Sequence, residues 1–182
     1  MAMQKEYITV DEFERLVNQA ENTDRRLELF NGEIIEKMPT MLHGVIVSLI
    51  IVALHNYFRN NPIAWVGPEV RFQLPEDRRS SLLPDLSVIL KEGRTLLDYG
   101  SVPYMPDLAI EVQSPDQSDK FMQEKGALYL AKGSKMVWLV YPRQQLVEVL
   151  TPTERHLLTI DDTLVGGDVL PGFSVAIREV FP

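Results

Sequence analysis

Leu108-Ala109-Ile110-Glu111-Val112-Gln113, followed one helix-length later by Met136-Val137-Trp138-Leu139-Val140-Tyr141, decides the fold class of this chain. Both runs are nearly continuous in apolar residues, the pattern of strands covered on both faces. Between them, Ser118 opens a helical pattern that runs through about Ala131 and is stopped by Gly133. A buried strand, a helix and a second, near-parallel strand predict a right-handed crossover and hence an α/β core.

Working outward, Pro84-Asp85 opens another buried run, Leu86 to Leu90, and Trp65 to Leu74 is a β-type run closed by Pro75. Upstream, Leu42, Val45, Ile46, Leu49, Ile50, Ala53, Leu54, Tyr57 and Phe58 repeat at i, i+3, i+4 spacing. They predict a long amphipathic helix, starting after Pro39-Thr40, that packs on the sheet. Arg26 to Phe30 and Glu33 to Met38 alternate about Asn31-Gly32, the strongest two-residue hairpin turn, and predict a β-hairpin. Thr9-Val10-Asp11-Glu12 matches a capping box and predicts a first helix over about 10–20. Downstream, Leu146 to Leu150 and His156 to Ile160 read as a closing hairpin, Gly166-Gly167-Asp168 as a loop, and Phe173 to Phe181 as a short terminal element. No repeat or linker interrupts the pattern. The expectation is a single domain over residues 1–182, of α/β (α+β) class, with a mixed central sheet flanked by helices.

The composition narrows the chemistry. A chain of 182 residues can bury a proper core. No apolar run approaches the ~20 residues that span a bilayer, and Met1 to Glu6 lacks the apolar region of a secretory signal. These features predict a cytoplasmic protein with no membrane partner. With no cysteine and three histidines, thiolate zinc sites are excluded and oxygen-liking cations are favoured. The net charge of −8 argues against nonspecific coating of nucleic acid. It is compatible with acids gathered round a cation that neutralises them.

Glu111 lies inside an apolar strand and Asp85 opens another, and a buried carboxylate is costly unless a cation or hydrogen-bond donors meet it. A salt bridge answers that need as well as a functional ion does. On neighbouring strands, however, two carboxylates converge on one ion of the Mg²⁺ type, which takes one or two protein carboxylates and keeps waters and phosphate oxygens. Such an ion polarises a phosphorus centre and activates a bound water. Gln113 shares the face of Glu111 by strand alternation, and Lys125 on the following helix is the other group placed to assist. Without the ion the two acids should repel, one should have a raised pKa, and removing Asp85's charge should relieve the fold.

The order Pro84-Asp85, then Glu111-Val112-Gln113, resembles the PD-(D/E)XK nuclease superfamily, in which an Asp and an acidic-X-Lys pair span adjacent strands. The wider run is more specific. It comprises Leu27-Glu28-Leu29-Phe30-Asn31-Gly32-Glu33-Ile34, His43-Gly44, Pro84-Asp85-Leu86, Pro106 to Pro115, Lys125, Tyr129, Lys132-Gly133, Val137 to Pro142 and Gly167 to Phe173. Over about residues 7–182 this is similar to the Uma-two family, a cyanobacteria-rich, restriction-endonuclease-like family of that superfamily. The resemblance implies a restriction-endonuclease-like fold, with Asp85 and Glu111 as metal-binding acids and Glu33 or Glu28 as the acid before the long helix. Gln113 stands where the superfamily has its strand lysine, and Lys125 matches the family's helix lysine.

Each remaining residue also has a plainer reading. Glu28 and Glu33 flank a hairpin turn where solvated charges are common. His43 either faces the site or caps the long helix, His55 and His156 read as surface or packed residues, and Asp107 reads as a turn cap. Trp65, Trp138, Tyr129 and Phe121 fit a core. Arg78-Arg79, in a loop before Asp85, and Lys120, Lys132 and Lys135 are either solvated charges or phosphate contacts.

The expected activity is a Mg²⁺- or Mn²⁺-dependent endonuclease. Asp85 and Glu111 bind the metal, Glu33 supports it or orients water, and Lys125 or Gln113 assists the nucleophile. DNA is the substrate by resemblance, and a homodimer would cut both strands at once. The rival is a catalytically inactive module that keeps the fold to bind nucleic acid or a protein, favoured by Gln113 and the acidic net charge. A hydrolase of small phosphorylated molecules lacks a phosphate-cradling glycine loop and ranks last.

Overall fold

The computed structural model describes residues 7–182, so the expectation about Met1 to Glu6 lies outside the described residues. Its first helix, α1 (Val10–Val17), is capped as its sequence requires: Glu12 N–H reaches the Thr9 hydroxyl and the Glu12 carboxylate accepts from the Thr9 N–H at 2.7 Å. The hairpin follows as β1 (Leu27–Phe30) and β2 (Glu33–Glu36). Asn31 and Gly32 between them both have positive φ, 51° and 88°, the geometry that makes Asn-Gly the preferred two-residue turn. The long helix α2 (Met41–Asn60) is capped by Thr40, whose hydroxyl accepts from the His43 N–H.

The central sheet contains β3 (Ala64–Pro68), β4 (Leu86–Leu90), β5 (Leu108–Val112), β6 (Met136–Tyr141), β7 (Leu146–Leu150) and β8 (Arg155–Leu158), hydrogen-bonded in that order. Every pair is antiparallel except β5 with β6, which run parallel with Glu111 opposite Leu139. The helix joining them is α3 (Asp119–Ala131), capped at Ser118 and followed by Gly133 at φ 112°. The fold is thus the mixed α/β sheet with flanking helices that the buried runs imply.

Strand alternation divides the core in two. Leu86, Val88, Leu108, Ile110, Val112, Trp138 and Val140 point to one face and pack with Ile46, Ile50, Leu54 and Phe58 of α2. Ala109, Val137 and Leu139 point to the other, where Met122 and Tyr129 of α3 and Phe30 of the hairpin cover them. Asp85 and Glu111 have the parity of this second face. Contrary to the expectation that no segment is long and apolar enough to span a bilayer, α2 is so by length and composition, with mean hydropathy 1.8; here Ile46, Ile50, Leu54 and Phe58 of its apolar stripe pack on the sheet. Gly126 lets α3 sit close: a Cβ there would lie 2.6 Å from the Leu150 side chain and 3.2 Å from Leu139.

One further expectation is corrected and another is made specific. The Trp65–Leu74 run is a strand only to Pro68, because Glu69 takes φ 52° and turns the chain; beyond it Phe72 makes isolated bridges to Leu82 and Val102. The C-terminal segment is a strand, β10 (Ser174–Ala176), paired with β9 (Thr163–Val165) in a small separate sheet, and then a turn of 3₁₀ helix over Ile177–Glu179.

Candidate functional site

Leu86 lies opposite Ile110 in the β4–β5 register, so the next pair outward sets Asp85 against Glu111. Both carboxylates are buried. Asp85 Oδ2 accepts the Val112 N–H at 2.7 Å and lies 3.1 Å from His43 Nε2, which the first turn of α2 delivers. Glu111 Oε1 accepts the Tyr129 hydroxyl at 2.8 Å and meets Lys125 Nζ at 2.7 Å, both from α3. The four-residue spacing of Lys125 and Tyr129 puts them on one helix face.

The facing oxygens of the two acids share one cation. Lys37 Nζ lies 2.8 Å from Asp85 Oδ1 and 3.2 Å from Glu111 Oε2, and it donates to the Leu83 carbonyl at 2.5 Å. Glu28 completes the cluster: its Oε1 takes Lys125 Nζ at 2.8 Å and its Oε2 accepts the Leu83 N–H at 3.3 Å. The chain of contacts runs Glu28, Lys125, Glu111, Lys37, Asp85, His43. Three carboxylates against two ammonium groups leave, His43 aside, one net negative charge.

The environment separates the two central acids. Burial pushes Asp85 up, but the Lys37 ammonium, the hydrogen bond and charge of His43, and Lys125 hold its carboxyl far below the usual range. Burial dominates at Glu111 and, with the charges of Asp85 and Glu28, leaves it raised despite both lysines. Burial pulls Lys37 down, yet the charges of Asp85, Glu111 and Glu28 outweigh it and raise Lys37 above the ordinary lysine value. Burial and then the Glu111 charge raise the Tyr129 phenol well above its usual value. The expected split between neighbouring acids is therefore present. Asp85 itself does not stand uncompensated: Lys37, His43 and the Val112 N–H meet its carboxylate.

The residues singled out in the sequence are placed as follows. Asp85, Glu111 and Lys125 come together. Gln113 shares the Glu111 face but turns its amide to the Gln117 carbonyl at 3.1 Å and to Asp119 Oδ1 at 2.7 Å, tying the strand to the start of α3. Glu33, part-buried opposite Phe30, lies on the hairpin face that also carries Glu28 and Ile35, but Glu28 is the acid that holds Lys125. His43 joins Asp85. Asp107 lies buried at the entry to β5, where its carboxylate accepts the Leu90 N–H of the neighbouring strand at 2.9 Å and pairs with Lys135 and Arg94, so it ties strands together where a turn cap was expected. Arg78 pairs with Asp11 of α1, Arg79 lies over the Tyr7 ring, Lys132 pairs with Asp77 and Lys120 with Glu124.

Sequence reasoning missed Lys37. The signal was present in the hairpin: Lys37 N–H bonds to the Arg26 carbonyl, continuing the register that pairs Glu28 with Ile35, so Glu28, Glu33 and Lys37 share one face.

A recess with about 10 Å³ of free space is lined by Lys37, Pro39, His43, Asp85, Glu111 and Ser114. It shares Pro39, His43, Glu69 and Asp85 with a neighbouring groove of about 570 Å³ that extends along Arg26, Thr40, Met41 and Val47. Among the described residues no group of three or more His, Cys, Asp or Glu side chains is arranged so that it could hold a metal ion. The donors round Lys37 Nζ are instead two carboxylate oxygens and a main-chain carbonyl, all hard oxygens already bridged by one cation. Hard oxygens of this kind suit an oxygen-liking divalent cation that completes its shell with water.

Comparison with curated proteins gives no match. A crystal structure described as a putative nuclease from Anabaena variabilis is similar at 26% identity and a TM-score of 0.79, over 96% of this chain and 97% of that one. The family model described as "Putative restriction endonuclease" matches residues 10–178, and the chain therefore belongs to that family, Uma2.

Proposed function

We propose that this chain is a divalent-metal-dependent endonuclease that hydrolyses phosphodiester bonds in DNA, with Mg²⁺ or Mn²⁺ held by Asp85 and Glu111. The observation that carries this reading is the pair of opposed, buried carboxylates on β4 and β5 whose facing oxygens converge on one cationic position. Membership of the family described as "Putative restriction endonuclease" and likeness to a structure described as a putative nuclease support the same chemistry.

When bound there, the ion supplies Lewis acidity to a phosphoryl oxygen and lowers the pKa of the attacking water. The chain's own residues hold and orient. The Val112 N–H and His43 fix the rotation of Asp85. Lys125 and Tyr129 anchor Glu111 Oε1, so that Oε2 stays aimed at the shared position. Glu28 holds Lys125, and Gln113 pins the start of α3, which carries both anchors. Fully buried, Lys125 is a positioning residue that acts through Glu111. The groove beside Thr40 and Met41 receives the substrate backbone.

The recess also favours a second reading: its acids are already paired with lysines, as a non-catalytic binding module would allow. Supercoiled plasmid, single-stranded DNA and RNA incubated with Mg²⁺ or Mn²⁺ separate the two. Metal-dependent nicking that EDTA, Asp85→Asn and Glu111→Gln each abolish is expected. Absence of cleavage on every substrate with either ion would leave the binding module as the better account.

A further inference from the structure

The metal position proposed above is filled by a side chain. Lys37 Nζ makes contacts of 2.5, 2.8 and 3.2 Å to the Leu83 carbonyl, Asp85 Oδ1 and Glu111 Oε2, and its side chain is 7% exposed. A magnesium ion needs the two carboxylate oxygens at about 2.0–2.1 Å and retains several waters. The space left beside the ammonium, about 10 Å³, is roughly that of one water. Ammonium and hydrated ion cannot both be accommodated, and their like charges would repel strongly at such range in a dry site.

From this we infer that Lys37 is an exchangeable resident cation: its ammonium occupies the oxygens of the divalent-ion site and must be displaced before Asp85 and Glu111 ligate one metal. The inference rests on the metal-dependent reading given above and adds a loading step to it.

The two lysines of the cluster differ in the way this division of labour requires. Lys125 is fully buried in the body of α3 and meets Glu111 at Oε1, the oxygen turned away from the shared position. It has no conflict with an incoming ion. Lys37 follows the last residue of β2 and precedes Met38, Pro39 and Thr40, all exposed. Its flexible four-carbon stem borders the recess beside Pro39, next to the groove. An ammonium displaced in that direction remains at the edge of the groove where a phosphate backbone would lie. In the metal-free protein the same ammonium keeps two opposed, buried carboxylates from facing each other uncompensated.

Two measurements on the full chain test this. Isothermal titration with Mn²⁺ is expected to show at least tenfold tighter binding to Lys37→Met than to wild type. Lys37→Arg, which keeps the charge in place, is expected to bind no more tightly than wild type. The second measurement follows the side-chain ammonium resonances of ¹⁵N-lysine-labelled wild-type protein at low temperature. Two shielded signals are expected, from Lys37 and Lys125, and saturating Mg²⁺ should shift one of them and remove its protection from solvent exchange while the other stays. The moving signal is the one missing from Lys37→Met; if that variant does not fold, the movement of one signal of the two in wild type carries the test.

Equal or weaker Mn²⁺ binding by a folded Lys37→Met overturns the exchange, as does an equal gain in Lys37→Arg. Two unmoved ammonium signals at saturating Mg²⁺ overturn it as well. In all these cases metal binding by the wild type persists, and the proposed function stands. If neither wild type nor Lys37→Met binds either ion, both the exchange and the metal-dependent function fall.

Discussion

Replacing Lys125 by methionine tests the reasoning at the centre of the cluster. The side chain is fully buried, and its ammonium lies 2.8 Å from Glu28 Oε1 and 2.7 Å from Glu111 Oε1. Methionine fills a similar volume and leaves no large cavity, so the loss is chiefly electrostatic: two buried carboxylates lose their shared partner. Removing one member of a buried ion pair costs about 3–5 kcal/mol. For a chain of this size that is roughly 6–20 °C in melting temperature, at ~2–4 °C per kcal/mol.

The penalty should depend on pH with a definite sign. Lys125 is the strongest of the charges that oppose protonation of Glu111, whose pKa is already raised. Its loss raises that value further. A raised carboxyl favours the fold in its protonated form, so its contribution is present below the ordinary glutamate value of about 4.3 and is lost as pH rises through the folded value. The variant should therefore lie closest to wild type near pH 4 and furthest below it at pH 7. Urea unfolding at the two pH values measures this directly, and adding Glu28→Gln should recover part of the deficit at pH 7. A deficit under about 1 kcal/mol, the scale of an exposed ion pair, or one that does not change with pH would refute the buried-pair reasoning.

Of the six tyrosines, Tyr129 and Tyr141 are hydrogen-bonded to Glu111 and Glu148, and burial raises both phenols. Raised values stabilise the fold below about pH 10 and lose that contribution above it, so ultraviolet titration should show these two ionising only as the protein unfolds. Gly126→Val should push α3 off Leu139 and Leu150 at a cost of about 1–3 kcal/mol, and crystallography should find Lys125 and Tyr129 shifted with the helix. Gln113→Ala should lower thermal stability by loosening the start of α3, yet leave Mn²⁺ affinity within about twofold, roughly 0.4 kcal/mol, because its amide touches neither Asp85 nor Glu111. A large affinity change in a folded Gln113→Ala would place that amide in the site.

Most of the architecture was legible because its determinants are local. The capping box at Thr9, the Asn31-Gly32 turn, the stripe of α2 and the apolar runs of β4, β5 and β6 are short-range patterns with one favourable backbone geometry each. Where a backbone angle broke the pattern, the reading failed: nothing in Trp65–Leu74 announces that Glu69 adopts positive φ and ends the strand. Asp85 and Glu111 were legible for a different reason, since an acid in an apolar strand must find a partner wherever the chain supplies one.

The identity of those partners was decided only by tertiary structure. Alternation along the hairpin puts Glu28, Glu33 and Lys37 on one face, but periodicity says nothing about which distant surface that face will meet. Lys37 reaches Asp85 across 48 positions of chain and Glu111 across 74, and Lys125 reaches Glu28 across 97. Such contacts depend on how the hairpin and α3 dock on the second face of the sheet, set by Phe30 against Phe121 and by the close approach at Gly126. The sequence by itself thus determined the strands, the helices and the need of two buried acids for a cation. Only the packed molecule decided that Lys37 meets that need, with Lys125 and Glu28 behind it, because long-range docking and not local periodicity selects which charges share a dry space.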